Sequence, residues 1–228
     1  MRGRLPRATT QAQKDERKQS ILSAADQHLI EVGLDAFSME VLARELGYAR
    51  GTLYRYFGTR EEVLLDLYNL KRSDWVLRLL NTIKPGLSDK IFVRRHYTES
   101  VKDALFLTLR ARLESTIIPN ISAAKHAESR EVTASSIGAL AQHYSECLGL
   151  TERQAQQLII AYGALMLGAA QVEPQSTRKS SRLTKEMREL VTDMDGQTVF
   201  ESNGIMILEG LRGDRSIPSR SNPGRSER

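Results

Sequence analysis

Apolar residues recur at helical spacing along most of this 228-residue chain, and no segment shows a convincing strand pattern, which predicts an all-α fold. Ser38 caps a helix with Glu40 in its first turn, Val41, Leu42 and Leu46 form its apolar stripe, and Gly47 ends it. After that turn Leu53 and Phe57, at i and i+4, point inward together. About 100° of rotation per residue then puts Gly51 and Arg55 nearly opposite Leu53, flanked by Thr52 and Tyr54. A Thr59-x-x-Glu62 capping box opens a long helix carrying Val63, Leu64, Leu67, Leu70 and Trp75, which runs to about Leu80 and ends before Pro85 and Gly86. Ser88 caps a helix with Ile91, Phe92, Val101, Leu105, Leu109 and Leu113, interrupted near Glu99 and ended by Pro119 and Asn120. Another helix follows to Gly149. A second capping box, Thr151 with Gln154, opens a helix to about Val172 with Ala155, Leu158, Ile159, Tyr162, Leu165, Met166 and Ala169 on one broad apolar side. Residues 173–182 read as a polar loop, followed by a short amphipathic helix. A last helix through Phe200, Ile205, Ile207, Leu208 and Leu211 ends at Gly213, and the Ser, Pro, Gly and Arg residues beyond it predict disorder.

Two short helices around a Gly-centred turn, the second with an outward face of Gly, Thr, Tyr and Arg, have the form of a DNA-reading helix-turn-helix. No acidic residue lies between Tyr48 and Arg60, whereas a merely solvated face would more often mix Glu with Lys. Gly51 costs roughly 1 kcal/mol against Ala in a helix interior, and close approach of the backbone to a bulky partner would compensate. Charge is distributed accordingly. Residues 1–60 carry ten Lys or Arg against seven Asp or Glu, and residues 61–212 carry nineteen of each. Arg2, Arg4, Arg7, Lys14, Arg17 and Lys18 make a basic N-terminal arm, either a solvating tail or a segment that follows DNA phosphates or a minor groove.

The segment from Ile21 to Leu64 resembles the N-terminal DNA-binding domain of the TetR (tetracycline repressor) family of bacterial transcriptional regulators. The likeness rests on the paired Ala24 and Ala25, Gly33, Phe37 and Ser38, the Gly51-Thr52-Leu53-Tyr54 core, the Tyr56-Phe57 pair and the acidic start of the fourth helix. Two positions depart from the family pattern. Ala49 stands where a Ser or Thr cap is usual, and Gly58 where Lys, Pro or Ser is usual. The resemblance implies a flexible arm over 1–14, a DNA-binding head over 15–62, an effector-binding and dimerisation body over 63–212 and a disordered tail over 213–228. It places Arg50, Gly51, Thr52 and Arg55 at the major groove of double-stranded operator DNA. Tyr54, Tyr56 and Arg60 would bind phosphates, with Ser38 adding a contact to the DNA backbone. It further implies a homodimer in which helices 151–172 and 197–212 pair with their copies through Ala161, Ala164, Leu165, Gly168, Ile205 and Leu208. Intramolecular core packing is the alternative for those residues. Trp75, Phe92, Tyr97, Phe106, Tyr144 and Tyr162 would line an effector pocket or simply fill the core. An apolar or aromatic small molecule is the expected effector, with Arg94, Arg95 or Arg110 anchoring an acidic group.

Composition agrees with this picture. Hydrophobic residues make up 40% and charged residues 27%, as in a soluble globular protein, and no apolar run approaches a membrane span. A basic N-terminus without a signal-peptide core and a lone cysteine predict a cytoplasmic protein, and the resemblance implies a bacterial one that joins the nucleoid when bound to DNA. His143 and Cys147 share a helical face but lack further ligands, and no catalytic constellation or cofactor motif is visible, so neither metal, cofactor nor enzymatic activity is expected. The leading function is a ligand-responsive repressor acting as a dimer on a palindromic operator. A DNA-bound organising protein with a protein partner and an all-α carrier or enzyme are the alternatives.

Overall fold

The computed structural model describes residues 10–172, 184 and 195–213, and these are helical with no strand among them. The expectations for residues 1–9, the loop at 173–182, the short helix after it and the tail beyond Gly213 fall almost entirely outside the described residues.

Three helices form the head. Helix α1, Gln11–Ala36, begins where Thr10 and Gln13 make a reciprocal capping box, so residues 11–14, expected in the flexible arm, belong to a helix instead. At Gly33 (φ 76°) the chain leaves the helical conformation, as a left-handed residue best allows, before one further turn. Helix α2, Met39–Glu45, starts at Ser38, whose hydroxyl accepts from the Glu40 N–H at 3.3 Å. It ends in a Schellman arrangement around Gly47 (φ 67°): the Tyr48 N–H reaches the Ala43 carbonyl at 2.8 Å and the Gly47 N–H reaches that of Arg44 at 3.1 Å. Helix α3 is only Arg50–Leu53, and its Ala49 cap makes no side-chain hydrogen bond. Ile21, Leu22, Ala25, Leu29, Phe37, Leu42, Leu53 and Phe57 close the head core.

Helix α4, Arg60–Thr82, joins head to body. Thr59 caps it through the Glu62 N–H, but the expected reciprocal bond is absent: the Glu62 carboxylate takes the Gly58 N–H at 2.8 Å and the Ser122 hydroxyl at 3.2 Å instead. The expected interruption near Glu99 lies a little later. Helix α5, Asp89–Val101, stops and α6, Ala104–Arg112, restarts because the Asp103 carboxylate caps the Phe106 N–H at 3.0 Å. Ahead of Pro119, which has no N–H to continue a helix, the chain widens into a π turn at Leu113–Ile117 and a 3₁₀ turn at Ile118–Asn120.

The body is completed by α7, Ala123–Leu148, α8, Glu152–Gln171, and α9, Gly196–Gly213. Helix α7 packs on α4 and α8, and α9 packs on α8 and α5. A Cβ at Gly204 would stand 2.8 Å from Val93, so a glycine there lets α9 lie directly on α5. Leu208, expected at the dimer interface, is fully buried inside this subunit; it faces the α5–α8 side of α9, and its role is core packing. None of the described helices is long and apolar enough to cross a membrane.

Candidate nucleic-acid interface

Burial of Leu53 and Phe57 fixes the rotation of the α3 segment, and the opposite side is what it offers to a partner. Gly51, Tyr54 and Arg55 are exposed, Thr52 and Tyr56 partly buried. The Arg55 guanidinium donates to the Thr52 hydroxyl at 3.4 Å and is otherwise turned outward. A Cβ at Gly51 would meet nothing within 4 Å, so no contact inside the chain calls for a glycine there. Arg50 opens α3, and its side chain lies outside the described positions. Ser38 stands at the start of α2 with its hydroxyl engaged as a cap.

Arg60, expected at the phosphates, is engaged within the head. Its Nε donates to the Phe37 carbonyl at 3.0 Å, its Nη2 to the Leu34 carbonyl, and its Nη1 to the Glu61 carboxylate at 3.0 Å, while the guanidinium covers the Phe37 ring. The carbonyls at the end of α1 need donors, and Arg60 supplies them from the first turn of α4. In this arrangement it clamps the end of α1 to the start of α4.

Ion pairs tie this head to the body through α4. Asp66 is buried between Lys18 of α1 at 2.6 Å and Lys125 of α7 at 2.7 Å. Lys71 joins Asp26 of α1 at 2.8 Å to Asp103 of the α5–α6 junction at 3.1 Å. Near this junction a cleft of about 440 Å³ is lined by Ile30, Lys71, Arg78, Lys102, Asp103 and Leu105, and by none of the aromatic pocket candidates.

Those aromatics do converge, but against one another. Phe92, Phe106, Tyr144 and Tyr162 are fully or almost fully buried, Trp75 is buried, and Tyr97 is partly buried. Phe92 meets Tyr144 edge-on at 4.9 Å, Trp75 stacks on Phe106 at 5.6 Å, and Tyr97 meets Phe200 at 5.4 Å. Sequence reasoning missed His96 and Phe200, which complete the cluster: the His96 ring stacks on Phe200 at 5.8 Å and shares a 2.7 Å hydrogen bond with the Tyr144 hydroxyl. Burial, aided by the positive charge of Arg110, holds the His96 pKa down at about 3, so the imidazole is neutral. The Trp75 indole donates to Ser100 at 2.9 Å. Of the arginines named as anchors, Arg94 grips Glu201 through Nε and Nη2 at 3.0 and 3.2 Å, and Arg95 donates to the Thr82 carbonyl. Arg110 makes no ion pair among the described residues. His143 sits 2.8 Å from the Ile83 carbonyl, a contact that needs a proton on Nε2, and burial raises the Cys147 thiol pKa.

Residues 21–67 match the bacterial regulatory proteins, tetR family. The head of this chain is a DNA-binding domain of the TetR family of transcriptional regulators. A fatty acid metabolism regulator protein from Bacillus subtilis is 27% identical over 90 residues, 38% of this chain and 46% of that protein, so the match spans about half the relative's length. Solved TetR-type structures share the whole fold. A possible TetR family regulator from Streptomyces coelicolor is 16% identical with a TM-score of 0.56, over 86% of this chain and 98% of that one. A TetR variant from Acinetobacter baumannii in complex with minocycline is 17% identical with a TM-score of 0.54, over 92% and 98%. A fatty acid degradation regulator from Bacillus halodurans is 18% identical with a TM-score of 0.51, over 86% and 99%.

Proposed function

We propose that this TetR-family chain acts in the bacterial cytoplasm as a dimeric repressor on a palindromic operator, released by a small effector bound in the helical body. The observation that carries the DNA reading is the outward face of α3: the space a Cβ at Gly51 would fill is open, and Thr52, Tyr54 and Arg55 surround it. A backbone that can approach a duplex this closely lets Arg55 reach base edges while Tyr54 and Tyr56 meet phosphates. One such head contacts few bases, and pairing two heads by a two-fold axis doubles the site.

Support for pairing comes from an apolar surface on the last two helices. On α8, Ile160 is 63% exposed and Ala164 and Gly168 are exposed; on α9, Met206 is 60% exposed and Ile205 partly exposed. Ala161 and Leu165 lie half-buried beside them. Small residues there let helices from a second copy approach closely. The names of similar proteins, regulators of fatty acid metabolism or degradation and a TetR variant in complex with minocycline, agree with an apolar or aromatic effector.

Selection of bound duplexes from a random DNA library by the full chain tests this function. The expected product is an inverted repeat whose half-sites lie on one face of the helix. Recovery of no common sequence, or of single half-sites only, would overturn the palindromic-operator reading.

A further inference from the structure

Arg72, on the body-facing side of α4, is only 4% exposed, yet its Nε and Nη2 find no hydrogen-bond partner. Nη1 donates to the Thr133 hydroxyl of α7, and the guanidinium lies over the Tyr68 ring, 5.3 Å from its centroid. The plane is therefore fixed while one edge stays unsatisfied. Unpaired donors on a buried cation carry a larger desolvation cost than unpaired neutral donors, which an anionic partner would relieve.

The chemistry of that edge is legible elsewhere in the same molecule. Arg94 holds the Glu201 carboxylate with its Nε and Nη2, one donor to each oxygen. Arg72 leaves the same two donors open, a fork that matches a carboxylate. Arg110, on α6, faces the same region: its guanidinium lies against Gly163 of α8, where an added Cβ would come within 2.1 Å of Nη2. No described acidic residue pairs with either arginine. Burial lowers the Arg72 pKa and the like charge of Arg110 adds to the lowering, while the Tyr68 side chain opposes it through its charge interaction and a hydrogen bond to the guanidinium. The charge of Arg110 also lowers the His96 pKa, so its field reaches the aromatic cluster.

We propose that Arg72 and Arg110 form the anion-binding end of the effector site, and that the effector is a monocarboxylic acid with an apolar or aromatic body. The carboxylate takes the Nε–Nη2 edge of Arg72 and the neighbouring guanidinium of Arg110; the apolar part is directed towards Phe106, Trp75 and His96. The assignment rests on reading the body as an effector-binding domain. No covalent step is involved, and the anion neutralises a pair of charges that otherwise repel.

Calorimetric titration and thermal shift of the full chain without DNA test the site, using dodecanoate and 2-naphthoate against dodecanol, 2-naphthalenemethanol and dodecyl phosphate. At least one acid should bind and raise the melting temperature, with its matched alcohol weaker by about 30-fold or more, as expected for loss of a buried charge-assisted pair. Arg72→Met and Arg110→Met should each abolish the preference for acid over alcohol. Ligand-free Arg72→Met should melt no lower than wild type, because an uncompensated charge has been removed. Arg110 is partly exposed, so its variant keeps the test sound if Arg72→Met fails to fold. Binding of neither acid, equal binding of acid and alcohol, tighter binding of the phosphate, or a preference that survives both variants would overturn the proposal. Operator release is scored separately by gel shift. An acid that binds through the arginines yet leaves operator affinity unchanged supports the site and removes ligand-responsive repression, whereas release by other molecules with no acid preference removes the site alone.

Discussion

A guanidinium presents five donors in one plane, and where they are satisfied decides what an arginine can do. Arg55 and Arg60 differ in this respect. Arg55 has one 3.4 Å contact to Thr52 and is exposed, whereas all three nitrogens of Arg60 are engaged inside the head. Replacing Arg55 by Ala should leave the unfolding midpoint within error, weaken the selected operator by about 1–3 kcal/mol and relax the preference at one base pair. Titrations against a panel of single-base operator variants would read this. Arg60→Ala should instead destabilise the isolated protein by about 1–3 kcal/mol in urea unfolding, since carbonyls at the end of α1 lose their donors. An unchanged midpoint with a shallower salt dependence of binding would return Arg60 to the phosphates. His96 gives a third outcome at this scale. Its pKa is about 3 when folded and near the ordinary 6.5 when unfolded, so below pH 6.5 the unfolded chain takes up a proton that the folded chain refuses. Stability contributed by the neutral imidazole is thus present above pH 6.5 and lost on acidification, by about 2 kcal/mol between pH 7 and 5. Chemical denaturation across that range should show the decline, and His96→Gln should flatten it; a pH-independent stability would contradict the buried neutral state.

At the scale of elements, local chemistry explains most boundaries, and these were legible from the chain alone. Ser38, Thr59, Ser88 and Thr151 each cap the helix that follows, and Gly47 and Gly149 leave their helices with positive φ. Boundaries set by distant partners were not legible. Asp103 ends α5 and opens α6 while also receiving Lys71 from α4, a coincidence no spacing rule contains. Arg60 and Glu62 illustrate the same limit within a recognised signature. Both sit where the sequence puts them, but their side chains turn to α1 and to Gly58 and Ser122, because unsatisfied groups there were closer than the expected partners. Gly51 tests the recognition helix as an element. Its Cβ direction is open, so Gly51→Ala should hold or raise stability by up to about 1 kcal/mol through helix propensity. The added methyl should nevertheless weaken operator binding by about tenfold or more, if the duplex occupies that space. Equal binding of the two forms in a fluorescence anisotropy titration would remove Gly51 from the interface.

For the molecule as a whole, the sequence carried the division into basic head and neutral body, because charge and helical period are properties of the chain itself. The composition of the body's interior depends on convergence. Trp75 and Tyr162 were recognisable as aromatics of helical faces, but Arg72 lay unremarked within α4, and its orphaned edge exists only once α7 packs over α4. The same reasoning separates two residues that a dimer pattern treats alike. Leu208 faces inward and is fully buried, whereas Ile160 projects from α8 at 63% exposure with Ala164 on the same side. A charge at Leu208 should therefore unfold the body, and loss of DNA binding there would say nothing about assembly. Ile160→Asp or Ala164→Glu should keep a cooperative thermal transition while converting the protein from dimer to monomer in sedimentation velocity at micromolar concentration. Each monomeric head would retain one half-site, so affinity for the full operator should fall on the order of 100-fold while affinity for an isolated half-site stays unchanged. A variant that remains dimeric at either position, or a monomer with undiminished affinity for the full operator, would move the pairing surface away from α8 and α9.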